Sequence, residues 1–382
     1  MYRLNADQEA IVERAREVAG RVIGPNAERV DAEGIFPRAS IEALGTAGLL
    51  GLTIPAELGG LGQGPRVACA VLDEVAQRCA STAMVYLMHL CGVACYLAAP
   101  AKTERYLRAA ARGEHLSTLA WSERASRSHF WAPVSQATQV DGRVTLSAQK
   151  SFVTSAGQAD GYVVSTQRPG AAQPTESTLY LVTRDDGGLS VAGAWMGLGM
   201  RGNASAPMAL EGVELGDDRA LSEPGKGFDL MLSILPVFQL GNAAVSVGIA
   251  EAAVAATQRH LTTARIEYLD AALASLPEQR ARLAQMRIRT DRARAHLVSA
   301  IDAVEDPGPT TMLLVLESKA SAAEAALDVT ETAMRACGGA AFARRLSVER
   351  HMRDAHAAGV MAPTTDHLYD FIGRALCGME LF

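Results

Sequence analysis

The hydrophobic pattern of this chain changes its period twice along 382 residues, and this change constrains the fold more than any single motif does. Apolar residues recur at helical spacing in the first part, as between Ile11 and Val22. Short β-branched runs separated by turn residues follow, and long helical patterns then return. The pattern predicts an α+β, mainly α fold with a helical domain over 1–112, a β-domain over 113–223 and a helical bundle over 224–382.

Local signals support this division. Asn5 with Gln8 three residues later is a capping-box sequence and predicts the start of the first helix. Asp186–Gly187 is typical of a turn and follows the β-branched run 179–182. We expect a ligand site where the three parts meet, because clefts between domains are favoured positions for ligands.

The charge balance narrows the range of partners. The chain carries 36 Lys and Arg against 42 Asp and Glu, a formal net charge of −6. A negative surface without a basic patch disfavours nucleic acid and anionic membranes. No apolar run approaches the roughly 18 residues of a membrane span, and Met1–Asn5 lacks the charged-then-apolar order of a signal peptide. We expect a cytoplasmic protein that binds neither nucleic acid nor membrane.

The cysteines give no sign of a metal site. They form no Cys-x-x-Cys pair and have no matched histidine pair nearby, which argues against zinc. Cys91 and Cys95 lie four residues apart and could share a helix face. We interpret all six as small buried hydrophobic residues. They are Cys69, Cys79, Cys91, Cys95, Cys337 and Cys377.

Four stretches resemble, in the same order, signatures of the acyl-CoA dehydrogenase family: 36–60, 120–128, 150–155 and 198–203. The stretch 349–355 resembles a later signature of that family. The resemblance implies a helical domain, a middle β-barrel-like domain and a C-terminal helical bundle, with FAD as the cofactor. It also implies a homodimer or homotetramer, because members of this family share FAD between subunits.

The resemblance implies FAD contacts in the β-domain. Trp121 and Ser122 belong to a loop that reaches the flavin in relatives, where Ser122 replaces a Thr hydroxyl, and Ser128 matches a Ser of that loop. Phe152 would pack against the isoalloxazine ring, and Thr154 would form a hydrogen bond near its reactive nitrogen. Both side chains would point the same way, since side chains alternate along a strand. An ordinary half-buried strand is the alternative.

Further FAD contacts are implied in the last third of the chain. Arg335, Gly338 and Gly339 occupy the place of a glycine-rich loop that meets the FAD of a neighbouring subunit. Glycines permit close approach of the backbone to a pyrophosphate, and the Arg335 cation suits its charge. Thr364 and Asp366 stand where relatives place FAD-contacting residues. Arg265 matches a pyrophosphate-binding element of the family only poorly.

The general base of the family has no counterpart here. The resemblance places Ala362 at the position of a catalytic Glu and Phe238 at an alternative position, and neither side chain can accept a proton. Pro236 and Gln239 replace two residues that contact the pantetheine arm in relatives. Other residues could supply a base, or Asp366 could instead contact the cofactor or begin a helix. The possible substitutes are Asp366, His367 and Glu251.

The substrate pocket is implied only in outline. The helix that carries Tyr86 and His89 lines this pocket in relatives, and Phe238 and Ala362 would complete it. A single histidine on an apolar helix is more often a core residue whose hydrogen bonds are satisfied. Tyr86 and His89 are therefore pocket candidates only.

Three functions are compatible with these residues. The first is an FAD-dependent oxidation of an unusual acyl thioester bound to CoA or to a carrier protein, with a base from elsewhere or an acidic substrate. The second is a flavin monooxygenase or oxidase, which needs no α-proton abstraction and draws on a reductase or other electron partner. The third is a non-catalytic assembly subunit. Assignment of the first to a tailoring step of specialised metabolism is an analogy.

Overall fold

A computed structural model describes residues 2–127, 129–140 and 142–381. The N-terminal part is helical, and Asn5 caps its first helix: Asn5 Oδ1 accepts from Gln8 N at 2.9 Å while Gln8 Oε1 accepts from Asn5 N at 3.1 Å. The predicted capping box is confirmed. The helices of this part are α1 (Ala6–Val18), α2 (Gly24–Glu33), α3 (Arg38–Thr46), α4 (Pro65–Ala76), α5 (Ala80–Leu97) and α6 (Pro100–Ala111).

The middle part consists of two sheets. One has the strand order β1-β4-β5, in which β1 and β4 are parallel with Ser117 opposite Gly161. The other has the order β2-β3-β7-β6 and is antiparallel throughout. The strands are β1 (Ser117–Ala120), β2 (Thr138–Val140), β3 (Arg143–Val153), β4 (Gly161–Gln167), β5 (Ser177–Thr183), β6 (Leu189–Val191) and β7 (Ala206–Leu215).

The C-terminal part is a bundle in which α7, α8 and α9 pack on one another. A two-stranded ribbon joins α7 to α8. The elements are α7 (Gly227–Thr263), β8 (Arg265–Ile266), β9 (Ala271–Ala272), α8 (Pro277–Glu305), α9 (Thr311–Cys337), α10 (Gly339–Phe342), α11 (Val348–Val360) and α12 (Thr365–Leu376). The predicted order of helical part, β-domain and helical bundle is confirmed, whereas its boundaries at 112 and 223 stay predictions.

The loop between β6 and β7 connects the sheets to α11. Met200 N donates to the buried Asp354 Oδ1 at 2.6 Å, and burial raises the pKa of Asp354 to about 6. A Cβ on Gly199 would lie 2.2 Å from the carbonyl oxygen of Arg353, so this contact requires glycine. The β-domain is thereby fixed against the helix that precedes the Ala362 turn.

Two core helices are longer and more apolar than the sequence suggested. Both α5 and α7 meet the length and composition of a membrane span, so the expectation that no such segment exists was wrong. In the most apolar 18-residue window, 89% of α5 and 67% of α7 is buried within the chain, which is typical of core helices. Small polar residues interrupt the apolar segments of α5 and α7, so neither segment forms a continuous apolar run in the sequence.

Five of the six cysteines are buried as predicted. Burial raises the pKa of the Cys91 thiol well above its usual value. Cys377 is exposed at the end of α12, so its assignment to the core was wrong. Residues 2–127, 129–140 and 142–381 contain no group of three His, Cys, Asp or Glu side chains arranged to hold a metal.

Candidate cofactor and substrate site

A β-bulge at the end of β3 turns the Phe152 ring out of the sheet. The register with β7 shifts between Lys150 and Val153, and Phe152 has a φ of +54°. The ring is 70% exposed and meets Trp195 edge-on at 6.4 Å. A positive φ costs a residue with a side chain about 1–3 kcal/mol, so the surrounding structure holds Phe152 in place. The bulge leaves an apolar ring face available to a planar ligand.

Thr154 differs from Phe152 in its exposure to solvent. It is buried, and its Oγ1 lies 2.9 Å from Ser205 Oγ. The Thr154 hydroxyl thus pairs with that of Ser205. That the side chains of Phe152 and Thr154 point the same way stays a prediction.

A buried ion pair holds the loop that begins at Trp121 against β3. Lys150 Nζ donates to Glu123 Oε1 at 2.7 Å, and Glu123 Oε2 accepts from Val134 N at 2.6 Å. Burial alone would favour the protonated acid, but the Lys150 charge and these hydrogen bonds lower the pKa of Glu123. Ser151 N donates to Ser122 O at 2.9 Å. Ser122 is therefore fixed beside the strand that carries Phe152.

Six rings form an aromatic band between this loop and α12. His129 stacks on Trp131 with centroids 4.7 Å apart and lies 5.2 Å from His367. The Nε1 of Trp121 is buried and has no hydrogen-bond partner in the part of the chain described. The sequence analysis overlooked the run 129–131, although aromatic residues make up only 5% of the chain. The band comprises Trp121, His129, Phe130, Trp131, His367 and Phe371.

The turn at Ala362 is held by a buried lysine that sequence reasoning missed. Lys319 Nζ donates to Met361 O at 2.8 Å and to Pro363 O at 2.5 Å, on either side of Ala362. Burial lowers the pKa of Lys319 to about 7. Lys319 is the one cation in the mainly apolar stretch 312–326, and this was the available signal. Ala362 itself is half-buried and offers only a methyl group.

The residues after this turn begin α12. Thr364 is the N-cap, and its Oγ1 accepts from His367 N at 3.3 Å. Asp366 is exposed in the first turn, where a carboxylate suits the helix dipole. His367 belongs to the aromatic band, and its Nδ1 is buried without a partner among the described residues.

The carboxylate of Glu251 is held in a network of ion pairs and is not free to act as a base. Its two oxygens accept from Arg287 at 2.7 and 2.8 Å, and Arg294 lies 3.0 Å away. Burial opposes ionisation, but the two guanidinium groups lower the pKa of Glu251. Arg294 also contacts the buried Asp73 at 3.2 Å. This geometry contradicts Glu251 as a substitute base, because both oxygens are occupied and the carboxylate is held ionised.

Tyr86 and His89 are core residues rather than lining residues of an open pocket. Tyr86 is fully buried, and its hydroxyl donates to Leu49 O at 2.7 Å. His89 Nε2 pairs with Leu50 O at 2.8 Å while Nδ1 accepts from Ser117 N at 3.1 Å. Burial lowers the pKa of His89 to about 4, so the ring is neutral. The core interpretation of His89 holds.

On α7, Phe238 is half-buried and Gln239 completely buried. Both amide atoms of Gln239 lack a hydrogen-bond partner among the described residues. Phe238 O accepts from Asn242 Nδ2 at 2.9 Å. From the sequence, Gln239 was identified only as the replacement of a residue that contacts the pantetheine arm in relatives. Its unpaired amide was not predicted.

The remaining predicted contacts lie on the surface. Gly338 has a φ of +56°, and a Cβ on Gly338 or Gly339 would meet nothing within 4 Å, so this backbone is accessible. Arg335 is exposed beside them. Arg265 is exposed and donates to Asp270 O at 2.8 Å across the ribbon. Ser128 lies outside the described residues.

Family models match almost the whole chain. They are "Acyl-CoA dehydrogenase, N-terminal domain" over 5–114, "Acyl-CoA dehydrogenase, middle domain" over 118–213 and "Acyl-CoA dehydrogenase, C-terminal domain" over 225–377. A cyclohex-1-ene-1-carbonyl-CoA dehydrogenase of Geobacter metallireducens is 27% identical over 98% of this chain and 99% of its own. The human mitochondrial short-chain specific acyl-CoA dehydrogenase is 26% identical over 94% of this chain and 87% of its own.

Solved structures share the fold. Butyryl-CoA dehydrogenase from Megasphaera elsdenii superimposes with a TM-score of 0.93 at 23% identity, covering 98% of this chain and 99% of that one. The prolyl acyl carrier protein oxidase AnaB gives 0.88 at 21% identity, with 98% and 99% covered. An FAD complex of PigA gives 0.90 at 17% identity, with 98% of each chain covered. At these identities the likeness concerns the fold alone.

Proposed function

Because this chain belongs to the acyl-CoA dehydrogenase family, we propose that it is a flavin-dependent oxidoreductase which binds FAD and oxidises an unusual acyl thioester. The thioester is carried by CoA or by a carrier protein. The observation that carries this proposal is the exposed Phe152 ring on its bulge, held beside Ser122 by the Lys150–Glu123 pair. An apolar ring kept in solvent at the cost of a strained backbone is accounted for by a planar ligand.

The residues around β3 and α12 fit an FAD molecule. Phe152 offers a ring face, and the Trp121 Nε1 offers a buried donor without a partner among the described residues. Gly338 and Gly339 expose backbone that suits a pyrophosphate, with Arg335 nearby to balance its charge. We propose that the contacts also include Ser122, Ser128, Thr154, Arg265, Thr364 and Asp366. When bound, FAD supplies the acceptor for two electrons.

The residues of this chain place a constraint on how the α-proton leaves the substrate. Oxidation of an acyl thioester to the enoyl form removes a proton from the α carbon, which a general base within hydrogen-bond reach normally accepts. Neither Ala362 nor Phe238 can accept a proton, and Glu251 is held by arginines. Asp366 points into solvent. We propose His367 as the base, since its Nδ1 is buried and unpaired among the described residues.

The variant His367→Gln tests this assignment. We expect it to retain FAD and to lose at least about 100-fold in the rate of flavin reduction by substrate, the usual contribution of a general base. His129→Gln is the matched control, because it changes the neighbouring ring of the same band. Equal rates in His367→Gln and His129→Gln would exclude His367 and leave an intrinsically acidic substrate as the explanation.

A flavin monooxygenase or oxidase is the second candidate. The observation that favours it is the turn 361–363, which presents a methyl group and two lysine-bound carbonyls where an α-proton acceptor would be needed. A reaction of reduced flavin with oxygen requires no such acceptor. Labelled oxygen tests the monooxygenase version: incorporation into product supports it, and a product free of label from the gas excludes it.

We also propose the setting in which this reaction takes place. The protein acts in the cytoplasm as a homodimer or homotetramer, and a separate flavin reductase or electron acceptor completes the redox cycle. Support for self-association comes from apolar side chains in solvent near the Gly338 loop and on the ribbon, where Phe342 is 85% and Tyr268 86% exposed. A tailoring step in specialised metabolism stays part of the proposal, as do the domain boundaries near 112 and 223.

The experiment that tests the proposed function starts from the purified protein. We expect a yellow protein whose released chromophore is FAD, and bleaching of its visible spectrum when an acyl thioester is added without oxygen. Bound flavin that stays oxidised with every thioester would contradict the dehydrogenase. A colourless protein that neither binds added FAD nor turns over any substrate would leave only the assembly subunit.

A further inference from the structure

Two neighbouring amide side chains on α7 are buried with unpaired hydrogen-bonding atoms. Gln239 and Asn242 are 0% and 1% exposed. The Nε2 and Oε1 of Gln239 and the Oδ1 of Asn242 have no partner in the described part of the chain. Asn242 uses its Nδ2 on Phe238 O at 2.9 Å. Residues three apart share a helix face, so one donor group and two acceptor oxygens lie side by side.

Such an arrangement is unusual in a protein interior. Most buried side-chain polar atoms have at least one hydrogen-bond partner, because an unpaired amide loses its hydration without compensation. Apolar residues surround these positions on α7, among them Leu235, Leu240 and Val245, and an apolar residue at 239 would avoid the loss altogether. The amides therefore require a partner that residues 2–127, 129–140 and 142–381 do not provide.

The position of Gln239 along the bundle indicates where that partner lies. Cys337 Sγ on α9 contacts Thr257 Oγ1 on α7 at 3.8 Å, and α7 and α9 run in the same direction because α8 returns between them. Gln239 precedes Thr257 by as many residues as Lys319 precedes Cys337. Equal rise per residue brings Gln239 level with Lys319.

Lys319 marks the level of the candidate reaction site. Its Nζ donates to the carbonyl oxygens of Met361 and Pro363, so the turn that carries Ala362 lies at the same height as Gln239. On the other side, a Cβ on Gly241 would meet Leu87 Cδ1 of α5 at 2.2 Å. Helix α7 thus lies between α5 and α9, and Gln239 lies on the same face of α7 as Thr257, the face toward α9, level with the turn at Ala362.

We propose that Gln239 and Asn242 bind the acyl group of the substrate, and that this group carries an uncharged hydrogen-bonding function such as a hydroxyl or an amide. This inference rests on the proposed function. A hydroxyl can accept from Nε2 and donate to either Oε1 or Oδ1, so it pairs two of the three atoms, and a primary amide, with two N–H donors and one carbonyl oxygen, can pair all three. A hydrocarbon leaves them unpaired, and a carboxylate places its charge against two carbonyl oxygens. The site therefore selects a polar acyl group over a fatty one.

Matched thioesters test this selection on the purified, flavin-containing protein. The probes are N-acetylcysteamine thioesters of butanoic acid and of its 2-, 3- and 4-hydroxy derivatives, and the readout is the dissociation constant from tryptophan fluorescence or calorimetry. We expect at least one hydroxy derivative to bind about tenfold tighter than the butanoyl thioester, the value of about one well-formed hydrogen bond. Binding of the butanoyl thioester as tightly as every hydroxy derivative would overturn the proposal.

The variants Gln239→Leu and Gln239→Met should abolish the preference. Methionine preserves length and volume, so it keeps the test valid if leucine disturbs folding. Thr166→Val is the matched control: Thr166 is also fully buried with an unpaired hydroxyl in the described chain, but it lies in β4. We expect the control to retain the tenfold preference. A preference that survives in Gln239→Met, or is lost equally in Thr166→Val, would contradict the assignment.

Flavin measurements on the same samples separate this proposal from the proposed function. Bound FAD that is reduced by butanoyl and hydroxybutanoyl thioesters with equal affinity refutes the polar selection and leaves the oxidoreductase intact. A protein that binds neither FAD nor any thioester refutes both. In the absence of ligand, Gln239→Met should melt at the same temperature as the unmodified protein or a higher one, because it removes two unpaired polar atoms.

Discussion

Lys319 Nζ lies 2.5 Å from Pro363 O inside the bundle, and no carboxylate in the described part of the chain pairs with this nitrogen. Met361 O accepts from the same nitrogen at 2.8 Å. A neutral amine has two N–H donors, which is the number these two carbonyl oxygens require. Burial lowers the pKa of Lys319 to about 7, so the neutral form is accessible near physiological pH. The lysine thus fixes the turn at Ala362 without placing a permanent charge beside it.

Replacement of this lysine should change the pH dependence of stability. The folded-state pKa lies below the unfolded value, so the unfolded chain binds more protons between about pH 7 and pH 10 and stability rises with pH in that window. The variant Lys319→Met removes this pH-dependent contribution to the free energy of unfolding. We expect the unmodified protein to gain up to about 2–3 kcal/mol relative to Lys319→Met between about pH 7 and pH 9. Urea denaturation at several pH values measures the difference. Parallel curves for the two proteins would show that Lys319 does not titrate in this window.

A carboxylate restored at the turn should change which thioesters react. Ala362→Glu places a potential base between Met361 and Pro363, and we expect flavin reduction by a plain butanoyl thioester to accelerate by at least about 100-fold. Ala362→Gln has nearly the same size but no basic oxygen, and it serves as the control. Anaerobic stopped-flow spectroscopy gives the rate. The same rate in both variants would show that the thioester α carbon does not approach this turn.

Loss of Lys150 should destabilise the β-domain strongly. Lys150→Met leaves Glu123 buried without its counter-charge, which costs about 3–5 kcal/mol when one partner of a buried pair is removed. The double variant Lys150→Met with Glu123→Gln removes both charges and should recover most of that loss. Denaturation midpoints of the single and double variants test this coupling. Equal destabilisation in both would mean that the packing of the lysine chain matters more than the charges do.

The Lys150–Glu123 pair should also make stability depend on pH in acid. Its Lys150 partner and hydrogen bonds lower the pKa of Glu123, so the stabilisation is present above the unfolded pKa of a glutamate and is lost as the pH falls through the lower folded value. The unmodified protein should therefore lose stability in acid more steeply than the double variant. Acid denaturation followed by circular dichroism compares the two slopes.

The sequence predicted those parts of the molecule that depend on local order. The change of hydrophobic period located the helices and sheets, and Asn5 with Gln8 marked the first helix, because both signals act within a few residues. The positive φ and the exposure of Phe152 could not be predicted, since the bulge depends on register with β7, far along the chain.

The site also depends on contacts between residues that are far apart in the sequence, and these contacts could not be predicted. Lys319 meets the 361–363 turn only after α9 and α11 pack together, and nothing near Lys319 in sequence indicates a carbonyl partner. His129 and His367 approach through the packing of a loop on α12. The pairing of Glu251 could not be predicted for the same reason, because its arginine partners lie on the next helix, α8.

The strained Phe152 should separate cofactor binding from folding. Phe152→Ala and Phe152→Gly both remove the ring, and we expect FAD to bind about fivefold to tenfold more weakly in both, the loss of one aromatic stacking contact. Only glycine relieves the φ of +54°, so Phe152→Gly should be more stable than Phe152→Ala by about 1 kcal/mol without cofactor. Ile288→Ala, which truncates a 51% exposed side chain on α8, controls for loss of an exposed apolar group. Fluorescence titration with FAD and urea denaturation of the apoprotein give both quantities. Unchanged FAD affinity in both Phe152 variants would contradict the proposed stacking contact, because removal of the ring would then not weaken the binding of FAD.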